Sequence, residues 1–173
     1  MKTGAQTAFL RQLINRDRCL RYALMARHVP LQTAEMIHLL ESFIKEEKDD
    51  DDIVSEAGED AVQRITDALL QRGNELLKQE RHMEAAGTAF AILVAVEPQL
   101  CYVYDEGITY QSIVEGAFDF LGKIGQQAYS LETAMALVCI AIHFFEGREE
   151  DDRYYDDEWK AAIVALGLDK KYA

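Results

Sequence analysis

The residues of this 173-residue chain best equipped for chemistry are four histidines, three cysteines and two runs of acids. Glu35-Met36-Ile37-His38 sets a carboxylate and an imidazole about one helical turn apart. That is the spacing used in carboxylate-bridged di-iron and di-manganese bundles. Such a centre needs a second Glu-x-x-His and two further inward glutamates. The nearest counterpart, His143-Phe144-Phe145-Glu146, runs in the reverse order at a helix end. A metal- or small-ligand-binding bundle built on Glu35 and His38 is thus the alternative functional reading. His28, His38, His82 and His143 fall on four segments with no ligand pairing among them, and His143 is expected to be buried.

The acid runs fail as calcium loops. Counted from Asp49, the position that requires glycine holds Val54; counted from Asp151, it holds Asp156. Cys19, Cys101 and Cys139 form no CxxC pair, so neither a zinc ribbon nor a disulfide framework is expected. Cys139 sits one turn before His143 in an apolar helix and reads as core, where a thiol has no means of lowering its pKa. Neither a phosphate-binding glycine loop, a nucleophile elbow nor HExxH occurs. The expectation is a non-enzyme without a cofactor or metal.

Helical periodicity dominates the elements that would position these residues. A first helix is expected over about Ala5–Arg27 and stops before Pro30; a second starts near Thr33 as its cap and dissolves into the run Glu46–Asp52. Further helices are expected over about Glu59–Gln79, His82–Val96, Ile108–Tyr129, Leu131–Glu146 capped by Ser130, and Asp157–Leu166. The sixth, apolar nearly all round, is expected at the centre. Gly116, Gly122 and Gly125 are expected to let a neighbouring helix approach closely. Cys101–Gly107 and Glu149–Glu158 read as connections. With no strand pattern, the fold class is all-α: six to seven helices in antiparallel pairs, forming one domain over 1–173 with possible sub-lobes 1–48 and 58–173.

Within this frame Leu69–Pro98 resembles one tetratricopeptide helix pair. The residues that carry the likeness are Arg72-Gly73-Asn74-Glu75-Leu76-Leu77-Lys78-Gln79, Glu84-Ala85-Ala86, Phe90 and Pro98. The resemblance implies that small residues at Gly73 and Ala85/Ala86 let the two helices touch while Leu76, Leu77 and Phe90 fill the gap. Glu80 stands where the pattern has a small turn residue, and no second copy follows. The stretch from Ala68 through Asp105-Glu106-Gly107 to Ile124 is also similar to the helical region of bacterial SWIM zinc-finger proteins. The zinc motif of that family is absent here, so zinc and nucleic-acid binding do not carry over.

An apolar share of 49% and a charged share of 28% suit a folded globular chain. Its longest apolar stretch, Ala134–Phe145, is short of the roughly 20 residues that cross a bilayer, so no membrane span is expected. Met1–Phe9 has no signal-peptide pattern, and a reducing cytoplasm is the expected location. The net charge of −13 disfavours a nucleic-acid partner. The charge is uneven. Lys2, Arg11, Arg16, Arg18, Arg21 and Arg27 face only Asp17 before Glu35, leaving −18 on the remainder. The first helix is therefore expected to lie on an acidic surface of its own chain or of a second copy, which keeps a homodimer open. The functional expectation is a non-catalytic helical protein-interaction or scaffold domain for a protein partner, one of basic character suiting its acidic surface. Tyr102, Tyr104, Tyr154, Tyr155 and Trp159, aromatics beside acidic loops, are its expected contact residues.

Overall fold

Local capping chemistry decides where each helix begins. In the computed structural model, which describes residue 7 and residues 11–50, 53–102, 108–148 and 154–167, residues 11–16 are helical and the chain then restarts as α1 (Arg18–His28). The expected single helix over 5–27 is broken at Asp17. This residue is extended and its carboxylate accepts from Leu20 N at 2.9 Å. Aspartate is a poor interior helix residue and a good cap, so the one acid in the basic run marks the restart.

Helix α2 (Thr33–Glu47) is capped by Gln32 rather than Thr33; Glu35 reaches back to accept from Gln32 N at 2.7 Å. It buries Met36, Leu39, Leu40, Phe43 and Ile44. An isolated antiparallel bridge, Lys48 to Val54, closes the following loop, and no strand occurs among the described residues. Helix α3 (Glu56–Lys78) begins earlier than the hydrophobic pattern because Ser55 accepts from Gly58 N at 3.2 Å.

Between α3 and α4 (His82–Val96) the chain reverses through a Schellman turn. Arg81 N donates to Leu76 O and Glu80 N to Leu77 O, each at 3.0 Å. Glu80 takes the left-handed position, φ 60°, which glycine usually fills. A 3-10 turn (Glu97–Tyr102) extends α4 past Pro98, and α5 (Ile108–Gly125), α6 (Leu131–Glu146) and α7 (Asp156–Leu166) complete the chain. Helix α5 stops at Gly125, short of the expected Tyr129. There α7 crosses closely: a Cβ on Gly125 would lie 2.5 Å from Ala165 O. Gly122, expected to serve similarly, faces open space, and a Cβ on Gly116 would make only an ordinary contact with Leu70 Cδ1 at 3.9 Å.

The helix at the centre is α4, not α6. Eleven of its fifteen residues are buried, and α2, α3, α5 and α6 all pack on it. Its alanines let neighbours approach on every side, while Phe90, Ile92 and Leu93 fill the gaps. Gly73 on α3 meets this bundle where α5 also arrives; a Cβ there would lie 2.8 Å from Phe120 Cε1. Helix α6 lies at the outside and buries only Ala134, Leu137 and Ala141. No described helix is long and apolar enough to cross a membrane.

Two of the arginines near the start, Arg18 and Arg27, pair with the chain's own acids, while Arg11, Arg16 and Arg21 are exposed. Arg18 pairs with Glu46 and Glu47, Arg27 with Glu75, and Arg72 of α3 donates to Val29 O.

Replacing Glu80 by glycine relieves the left-handed strain. It is expected to stabilise the fold by about 1 kcal/mol, a rise in melting temperature of roughly 2–4 °C. Replacing Gly73 by alanine forces a methyl against Phe120 and Thr88 and should cost about 1–3 kcal/mol by denaturant titration.

Candidate functional site

The five aromatic residues expected on one contact surface have different fates. Trp159 is fully buried, which overturns its expected role as an exposed contact. Its ring lies parallel to Phe90 at 6.3 Å and edge-on to Phe118 at 5.5 Å, as α7 closes over α4 and α5. Tyr155 is half-buried against Phe118 at 5.8 Å, and Tyr154 stays 50% exposed. Tyr102 ends the 3-10 turn, but its side chain lies outside the described structure, as does all of Tyr104.

Trp159 goes inward because of Glu97, a residue that carried no functional weight in the sequence. Glu97 is fully buried at the end of α4. It accepts from Trp159 Nε1 at 2.7 Å, from Arg148 Nη1 at 2.6 Å and from Tyr155 N at 3.2 Å. Arg148, just after α6, also donates to Asp156 in the first turn of α7 and to Phe145 O. Its guanidinium sits 4.9 Å from the Phe145 ring and 5.3 Å from that of Trp159. Burial pushes the Glu97 carboxyl above the usual range, against the pull of Trp159, Arg148 and the Tyr155 amide. The acid, the base and the indole satisfy one another, so the cluster ties α4, α6 and α7 together. The sequence signals were faint: an acid before Pro98 at the end of an apolar helix, and one arginine heading the run Glu149–Asp152.

This tie fixes which way α6 faces. At roughly 100° per residue, Leu131, Met135, Cys139 and Ile142 fall within a sector of about 80°, and all four point outward. Leu131 is 47% exposed, Met135 56% and Ile142 37%. His143 borders the strip and is exposed too. The expectations of a core Cys139 and a buried His143 are both overturned, for the same reason: α4 takes the central place that α6 was expected to fill. Glu146 closes the strip at its C-terminal end and Glu132 flanks its start.

The metal reading gains no partner. Glu35 is engaged in the cap of α2, His38 is exposed, and no three His, Cys, Asp or Glu side chains converge among the described residues. Asp49 of the first acid run accepts from Ile53 N at 3.0 Å within its own loop, and Asp151 lies outside the described residues.

Arg148→Met would leave Glu97 buried beside an uncharged partner and is expected to cost about 3–5 kcal/mol. Adding Glu97→Gln should return part of that loss, and Trp159→Phe, which deletes one hydrogen bond to a buried acid, should cost about 1.5–3 kcal/mol. A double-mutant cycle of chemical denaturation measures the coupling; additive losses would mean that the pair does not act as a unit. No known protein family, no characterised protein and no solved structure matches this chain.

Proposed function

We propose that the chain is a helical protein-interaction module. Its outward strip on α6 receives the apolar face of an amphipathic helix from another protein. The observation that carries this reading is the strip itself: Leu131, Met135, Cys139 and Ile142 leave one face of a packed helix apolar and open. Anchors spaced by three and four residues match the periodicity of a helix laid alongside.

Charge supports the choice of occupant. Glu132 and Glu146 border the strip, Asp157 and Glu158 are exposed on the neighbouring α7, and the chain carries −13. A guest helix whose apolar stripe is flanked by lysine or arginine meets complementary charge there, whereas a second copy of this chain brings like charge. This reading replaces the aromatic contact face expected from sequence. Tyr154 remains an exposed neighbour, and Trp159 acts by holding the scaffold.

The test uses a fluorescent amphipathic peptide with leucines on one face and lysines on its flanks, followed by anisotropy. Wild-type chain is expected to bind it, and Met135→Asp is expected to weaken binding about tenfold or more. Asp adds negative charge, so an attraction driven by charge alone would instead strengthen. Unchanged or tighter binding by Met135→Asp would sink the proposal. So would a dimer of the chain by light scattering that Met135→Asp dissociates, because a second copy would then own the strip.

A further inference from the structure

On the side of α6 away from this strip lies a cleft of about 220 Å³, bounded by the first turns of α2 and α4 and the C-terminal part of α3. The two helix starts sit side by side, since a Cβ on Gly87 would lie 2.5 Å from Thr33 Oγ1. Arg72 of α3 and Arg81 of the Schellman turn both line the cleft. Met36, Leu76 and Ile140 supply its apolar walls.

Three positive features meet here against a single carboxylate. Arg81 occupies the N-cap position of α4, where serine, threonine, aspartate or asparagine is the rule, and no side chain caps that helix. A cation at the positive end of a helix dipole is unfavourable. Arg72 is held in place by its bond to Val29 O and is partly desolvated; burial and the nearby charge of Arg81 both push its pKa down. One carboxylate answers them, Glu84, which pairs with Arg81 at the exposed rim. Glu35 is engaged with Gln32 N, and the Thr88 hydroxyl donates to Ala85 O.

We propose that this cleft binds a small oxyanion, a carboxylate or phosphate carried on a short apolar group. The oxyanion lies between Arg72 and Arg81 at the start of α4, and the apolar group lies against Met36 and Ile140. Two guanidiniums give the planar, multidentate recognition that such oxygens favour, and the helix start adds backbone donors. A volume of this size holds a ligand of a few carbons rather than a polymer.

Isothermal titration calorimetry with sodium butyrate and, separately, sodium phosphate tests this at constant ionic strength set by chloride. Saturable binding of either anion is expected, and the stronger of the two identifies the head group. Arg81→Gln, at an exposed position, should keep the melting temperature and weaken binding about tenfold or more, and Arg72→Gln should weaken it as well. Lys160→Gln, on α7, should bind as wild type does. Failure of both anions to saturate, wild-type affinity in Arg81→Gln, or an equal loss in Lys160→Gln would each overturn the proposal. Met135→Asp should leave anion binding unchanged, so this result stands or falls separately from the α6 strip.

Discussion

A fully buried glutamate at the end of the most apolar helix is the constraint on which the second half of this fold depends. Removing Glu97 from water costs several kcal/mol unless its oxygens are paired, and its partners come from far along the chain. Arg148 and Trp159 meet it only if α6 ends, and α7 begins, beside the last turn of α4. Packing alone would let α7 slide along α4 and α5, because apolar contacts have little directionality. Three hydrogen bonds to one carboxylate do not permit sliding. The same register brings Gly125 against Ala165 and lets the Tyr129 hydroxyl donate to Leu166 O at 2.9 Å.

From that register follows the division of labour between α4 and α6. Both are apolar enough to sit at the centre, and both would pass for a buried helix by composition. Small side chains decide between them: the alanines of α4 from Ala85 to Ala95 admit neighbours on all sides. The larger Met135, Phe144 and Phe145 make α6 a helix that can lie against only part of the bundle. Arg148 then pins its C-terminal end, and the leftover apolar surface has to face outward. The exposed strip is thus a consequence of how the core was filled as much as of any pressure on the strip itself.

Most of the fold was legible from sequence, because capping and periodicity act locally. Ser130 with Leu131–Glu146, and the interval His82–Val96 before Pro98, match the observed helices. What failed were statements about what lies against what. The outward face of α6 and the exposure of Cys139 and His143 depend on contacts between distant segments. Periodicity shows that a helix has an apolar face but not whether another helix covers it. Glu97 was invisible for a related reason: an acid at a helix end before proline is ordinary until Arg148, fifty-one residues later, is seen to reach it. Asp17 was the opposite case, a local signal overruled by the long apolar pattern around it.

Charge then separates the two halves of the surface. Arg18 and Arg27 are engaged by Glu46, Glu47 and Glu75, and Arg72 by a backbone carbonyl. Exposed pairs of this kind contribute little stability each, so α1 is held mainly by its packing on α3, where Cys19 meets Ala61 O, and by Tyr22 against Phe43 of α2. Their effect is on the field instead. By drawing the basic segment onto nearby acids, they leave the acids of α6 and α7 without a compensating cation from that segment. The cleft at Arg72 and Arg81 stands out against this background as a cationic spot in an acidic molecule. A strip bordered by acids and a cleft lined by arginines, on opposite sides of one helix, would select ligands of opposite charge, so occupancy of one would give no electrostatic reason to exclude the other.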